Sequence, residues 1–273
     1  LFGQSGPYSD IAGFGTMGAA AAGFNVVTGW ADRNPAMVAA YSDYVAPRFT
    51  VAAILAALEH RDRTGEGQYI DFSQAEAAIH NLAPAVLDYS VNGREFERLG
   101  TSDPQYAPHG VYSASGDDRW VAVVCETDEQ WRSLARVIGR DDLSSDDSLG
   151  TAAGRLARVA ELDEAIGAWT KEREPVECER ELQAASVPAY AVQGGTAALA
   201  DAQLVHRGHF ASVPHSALGE TVVEGSTFRL SRTPGAPERA GPTFGEHNFE
   251  VLEGLLGYNG GQIAELAAAG VLQ

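Results

Sequence analysis

The chain has 273 residues, 45% hydrophobic and 21% charged, which is enough apolar matter for a folded core and too ordered a composition for wholesale disorder. Its 37 acidic against 19 basic residues give a formal charge of −18, so nothing supplies the basic footprint that nucleic acid requires. No apolar run reaches the ~18 residues of a membrane span, and the densest stretch, 51–58, is bounded by Arg48, Glu59, His60 and Arg61.

Neither nucleic acid nor membrane is therefore expected as a partner. No signal peptide is visible. Cys125 and Cys178 form no metal spacing and no disulfide framework, which fits a reducing, cytoplasmic setting. Among the basic residues only Lys171 is lysine. Two readings of that bias stand side by side: GC-rich coding, or a carboxylate-dense surface suited to high salt.

In chain order, Leu1-Phe2-Gly3-Gln4-Ser5-Gly6-Pro7-Tyr8 reads as a strand running out into a loop, and 13–29 is rich in Gly and Ala, as close packing or close ligand approach requires. Residues 44–62 predict a helix with Pro47 in its first turn. It is apolar almost all round from Phe49 to Leu58, the pattern of a buried helix. Thr64-Gly65-Glu66-Gly67 is turn chemistry, and 68–72 alternates like a short strand. Ser73-Gln74-Ala75-Glu76 is a capping box opening a helix to about Tyr89. A loop is expected over 92–110, then strands at 111–113 and 120–124 around Gly116-Asp117-Asp118. Helices are expected near 127–139, 151–170 and 175–185, with the acidic stretch 141–147 as a solvated loop. A short strand at 189–192, a helical turn from 196 to 200, strands between 209 and 230, and helices near 245–257 and 260–268 complete the reading.

Few residues stand out chemically. Asp43 lies at the mouth of the apolar helix, where a carboxylate gains from unpaired N–H groups and stays ionised, as a nucleophile must. On local sequence an N-cap is the plainer account. His109-Gly110 suits a mobile lid with a glycine donor, or an ordinary turn. Gly245-Glu246-His247-Asn248 suits an acid–base pair, or a polar helix start. His206 and His209 lack a third ligand nearby, so a surface pair is expected and no metal site. No nucleophile elbow, Walker loop or dinucleotide fingerprint occurs.

Taken in order, Phe2-Gly3-Gln4-Ser5-Gly6-Pro7-Tyr8, Thr28-Gly29, Ser42-Asp43, the helix 52–58, Arg61-Asp62-Arg63-Thr64-Gly65-Glu66-Gly67-Gln68, Ala107-Pro108-His109-Gly110, Val187-Pro188-Ala189 and Gly245-Glu246-His247-Asn248 resemble the class III CoA-transferases. That family includes formyl-CoA transferase, carnitine CoA-transferase and alpha-methylacyl-CoA racemase. The resemblance implies an α/β fold: a Rossmann-like large domain, incomplete here on its N-terminal side, with a smaller α+β domain, in a family of interlocked dimers. It divides the chain into 1–90 with the aspartate, a linker and small domain over 91–185, and a return to the large domain over 186–273.

It implies that Asp43 attacks an acyl-CoA thioester, passing through an aspartyl anhydride and an aspartyl-CoA thioester. It further implies that Ala12, Gly13, Phe14 and Gly15 touch CoA and that His109 and Gly110 belong to a substrate-shielding loop. CoA enters as substrate and no cofactor is called for. The partners implied are an acyl-CoA, a carboxylic acid, and another copy or a second chain supplying the N-terminal half. Racemases of the family carry a histidine ahead of the aspartate, but Asp10-Ile11-Ala12-Gly13-Phe14 has none, which favours transfer over racemisation. A non-catalytic acyl-CoA-binding subunit is the remaining alternative.

Overall fold

The computed structural model describes residues 1–272, which divide into two compact units, Leu1–Val192 and the described residues from Gln193 onward. Helices and sheets mix in both, and both sheets are antiparallel.

The first unit opens with helices: α1 (Gly15–Ala21), α2 (Phe24–Val27), α3 (Tyr41–Thr64), α4 (Gln74–Ile79) and α5 (Ala83–Asn92). The side chains buried among them are small: Ala19, Ala22, Val45, Ala46, Ala75, Ala77 and Ala78. Glycines and alanines let α1, α3 and α4 approach closely near the start of α3. Gly65, at φ +82°, ends α3 with its N–H bonded to Arg61 O.

The larger core lies further along. Strands β1 (His109–Ser113), β2 (Trp120–Val124) and β3 (Ala189–Ala191) form a sheet in that order, with Val111 opposite Ala122 and Ala122 opposite Tyr190. Alternation along β2 buries Val121 and Val123. Against them pack Trp131 and Leu134 of α6 (Asp128–Val137), Leu162 and Ile166 of α9 (Val159–Thr170), and Leu182 of α10 (Pro175–Ala184). Thr127 and Gln130 cap α6 reciprocally. Two short helices, α7 (Asp141–Ser144) and α8 (Ala152–Ala157), join these elements. Arg155 of α8 is wholly buried: Nε donates to Ala107 O at 2.6 Å, and Nη1 to Asp128 Oδ1 at 2.8 Å and Leu149 O at 3.1 Å. It thereby ties down the segment leading into β1.

The second unit holds α11 (Gly195–Ala200) and α12 (Ala202–Arg207), the latter capped by Asp201. A hairpin of β4 (Phe210–His215) and β5 (Gly219–Glu224) follows. Then come a π-helical segment, Glu250–Leu255, and α13 (Gly260–Ala268), capped by Asn259 and Gln262.

Several expectations change. Residues 68–72 form no strand, because neither sheet among the described residues offers them a ladder. The helix expected from Ser73 to Tyr89 is broken by a 3-10 turn, His80–Leu82. Pro84 cannot donate to His80 O and its ring crowds that carbonyl, so a new helix must start there. The acidic stretch 141–147 is not loop throughout. Asp141 and Asp142 sit in the first turn of α7, where carboxylates offset the helix N-terminus, and Asp142 pairs with Arg140. Finally, α3 is not buried along its length: beyond Ala46, Val51, Ile54, Leu55 and Leu58 are exposed, because α1 and α4 cover only its beginning. Pro47 is its seventh residue, beyond the first turn.

Candidate active site

At the start of α3 two of the predicted residues, Asp43 and Gly15, meet. Asp43 is the third residue of the helix, and its backbone N–H bonds to Ala40 O at 2.9 Å. The N-cap position belongs to Ala40, which offers no side-chain acceptor. Ala39 just before it sits at φ +50°, a left-handed conformation that costs a non-glycine residue on the order of 1 kcal/mol. The capping account of Asp43 therefore does not hold. Its exposed carboxylate faces the α4 side instead, and Oδ1 accepts a hydrogen bond from Gln74 Nε2 at 3.1 Å. It lies in the first turn of the 24-residue helix.

The α1 side closes over the same carboxylate. A Cβ added to Gly15 would fall almost equally close to Cγ, Oδ1 and Oδ2 of Asp43, nearer than real Cβ atoms come to anything. Ser42, fully buried beside Asp43, donates to Gly15 O at 3.0 Å and fixes this approach. A Cβ at Gly18 would strike Ser42 Oγ and Leu1, and one at Gly13 would strike Leu1. Leu1 O in turn accepts from Ala75 N at 3.2 Å and Ser73 Oγ at 3.3 Å, so the opening segment, α1 and the start of α4 lock together around Asp43. Gln4 N donates to both oxygens of Asp71, adding a second tie between these segments. Of the stretch 12–15, then, Gly15 meets Asp43 and Gly13 meets Leu1, while the Phe14 ring is exposed.

His109 and Gly110 lie on β1. The expected loop ends before them, and they form the first two rungs of β1, opposite Val124 and Val123. His109 Nδ1 is 2.7 Å from Thr101 O, and Gly110 is overlain by Tyr112, whose ring and hydroxyl occupy the space of a Cβ. Tyr112 OH donates to Asp163 at 2.7 Å, and burial raises its pKa far above the ordinary range. The bonds of this pair thus run to the linker and to β2 rather than to Asp43. In the second unit, Glu246 accepts from Thr243 N, Thr243 Oγ1 and Ser216 Oγ, which lowers its pKa to about 2. These bonds tie the turn 243–246 to Ser216, while the helical segment that follows has Phe249 at its N-cap and no side-chain cap bond.

Gln74 escaped the sequence reading. It was visible only as the residue after an N-cap serine, and nothing local links it to Asp43, 31 positions earlier. Ser42 stood out only as the neighbour of Asp43 in the family motif; its burial depends on the glycines of α1.

Comparison with known proteins gives the site its context. The model of CoA-transferase family III matches residues 1–248. Succinyl-CoA–D-citramalate CoA-transferase of Chloroflexus aurantiacus is 32% identical over 272 residues, covering 99% of this chain and 67% of that protein. The alpha subunit of succinyl-CoA–L-malate CoA-transferase from the same organism is 31% identical, over 99% of this chain and 64% of that protein. Succinate–glutarate CoA-transferase of Agrobacterium fabrum is 32% identical, over 93% and 63%. The chain thus spans about two thirds of these relatives' length. Among solved structures, a CaiB/BaiF family protein from Brucella suis superposes with a TM-score of 0.83 at 27% identity, over 93% of this chain and 66% of that one. The chain belongs to CoA-transferase family III.

Proposed function

We propose that this chain carries the nucleophile of a CoA-transferase that moves CoA from an acyl-CoA to a carboxylic acid. The observation that carries the reading is the Asp43 carboxylate: exposed, at the start of a long helix, with an amide donor on one oxygen and a glycine against it that has no room for a Cβ. An ionised carboxylate held there attacks a thioester carbonyl and gives an anhydride, which the released thiolate converts to an aspartyl thioester; an acceptor carboxylate then reverses the sequence. Splitting the exchange this way replaces one difficult displacement with several easier ones.

In this reading Gly15 marks where the acyl-CoA approaches, with Ala12, Gly13 and Phe14 beside it, and His109 and Gly110 shield reactive intermediates from water. CoA is a substrate and no cofactor takes part. Several relatives are named for succinyl-CoA or succinate with a second dicarboxylate, so succinyl-CoA with malate, citramalate or glutarate forms the first panel to assay. The exposed apolar side chains along α3 favour a further polypeptide covering that helix, either another copy or a different chain, and the relatives include proteins named as alpha and beta subunits. A cytoplasmic setting fits two buried, unpaired cysteines. The test is Asp43→Ala: CoA exchange should disappear with the fold intact, and retained exchange would remove the proposed nucleophile.

A further inference from the structure

We infer that Gln74 is a catalytic residue, the oxyanion donor that serves the Asp43 carbonyl each time the carboxyl carbon becomes tetrahedral. The inference rests on Asp43 being the nucleophile and adds which of its oxygens does what.

The geometry distinguishes the two oxygens. Oδ1 accepts the Gln74 Nε2 hydrogen bond at 3.1 Å, whereas Oδ2 accepts no side-chain bond among the described residues. The free oxygen is the one able to attack. In the first step an Oδ2 lone pair adds to the thioester carbonyl, the acyl C–S bond breaks, and CoA leaves as thiolate with the bonding pair. The product is a mixed anhydride bridged by Oδ2, and Oδ1 becomes the aspartyl carbonyl oxygen. In the second step the thiolate adds to Cγ and the C=Oδ1 π pair moves onto Oδ1. That oxyanion forms where the Gln74 N–H already points, so the donor needs no reorganisation. Collapse restores C=Oδ1 and breaks Cγ–Oδ2, and the first acid leaves as a carboxylate carrying Oδ2. The acceptor carboxylate repeats the addition at Cγ, expelling thiolate through the same oxyanion. The thiolate then attacks the acceptor's acyl carbon, breaking its bond to the aspartyl oxygen and regenerating the carboxylate. Charge is conserved throughout, passing between carboxylate, thiolate and Oδ1.

Gly15 completes the argument. Having no Cβ, it leaves room for the Asp43 carboxyl group to sit where Gln74 reaches it. Gln74 is available for this role because it does not cap its own helix. Ser73 Oγ takes the Glu76 N–H, and Gln74, the first residue of α4, is half-buried with its amide turned to α3.

The experiment compares wild type, Gln74→Met, Gln74→Glu and Asp43→Ala, using succinyl-CoA with the dicarboxylate panel and hydroxylamine to capture activated Asp43. Gln74→Met keeps length and removes the donor; Gln74→Glu keeps shape and substitutes an acceptor. Both should lower kcat about 10²-fold with KM nearly unchanged, slow hydroxamate formation at Asp43 alike, and leave the melting temperature where it was. A residue that only packs would tolerate Gln74→Met. Activity of either variant within about threefold of wild type overturns the inference, since removing one such donor is expected to cost about 10²-fold. If instead wild type yields no hydroxamate at Asp43, the nucleophile fails and the donor with it. If Asp43→Ala is inactive while both Gln74 variants match wild type, the nucleophile stands and only the donor falls.

Discussion

Gly15→Ala is the sharpest perturbation of the site. The new methyl would occupy the space of the Asp43 carboxyl group. Two relaxations are open. Asp43 can swing away, which breaks its 3.1 Å bond from Gln74. Alternatively α1 can shift, which breaks the 3.0 Å bond from Ser42 to Gly15 O and disturbs Gly18 against Ser42 and Leu1. Overpacking of this kind costs about 1–3 kcal/mol, and the higher helix propensity of alanine returns up to about 1 kcal/mol. At about 2–4 °C per kcal/mol, the melting temperature falls by only a few degrees. Activity should fall much further, because a ~1 Å displacement of a reacting group costs about 10²-fold. The assay is CoA exchange followed by chromatography of the acyl-CoAs, with thermal melting alongside. Gly67→Ala is the control: its Cβ would meet nothing and it lies outside the site, so rate and stability should both hold. Gly15→Ala with wild-type turnover would refute the argument that this glycine exists to admit the carboxylate.

Arg155→Met should be among the more damaging changes to stability. It orphans Ala107 O and Leu149 O at about 1–3 kcal/mol each, partly offset because Nη2 is already buried without a partner. Asp128 is 47% exposed and rehydrates, so no stranded buried charge adds to the cost. A drop on the order of 10 °C is expected by calorimetry, and an unchanged melting temperature would contradict it. Glu246 contributes stability in full above its ordinary pKa of 4.5 and loses it as pH falls toward about 2, its folded value. Glu246→Gln should flatten the acid limb of a stability–pH curve, and an identical limb in both proteins would show the hydrogen bonds to be inconsequential. Both thiols should resist a disulfide reagent at neutral pH until unfolding, because burial pushes Cys125 up to about 12 and Cys178 to about 11. Fast reaction in the native state would contradict that burial.

What the sequence could reveal depended on the range of the forces involved. Alternation at 120–124, the Ser73 N-cap and the Pro175 helix start are local effects, and the structure contains them where periodicity and capping place them. Residues 68–72 have strand composition, but a strand needs a neighbour, and no sheet among the described residues supplies one. The apolar run of α3 from Phe49 to Leu58 signalled burial, yet the helix buries only Ser42, Val45 and Ala46 ahead of it, because burial is decided by what packs on the helix rather than by its composition. Asp43 was legible as a charge at a helix mouth. Its partners were not: Gln74 and Gly15 reach it from two other helices, through a contact that exists only once glycine, serine and Leu1 have packed.

The central claim is that the Asp43 side chain becomes acylated during turnover. Incubating the protein with succinyl-CoA and hydroxylamine, then mapping its peptides by mass spectrometry, tests this directly. A hydroxamate at Asp43 that appears only when the thioester is present is the predicted result. Turnover without modification at that residue, or with the label on another carboxylate, would contradict it.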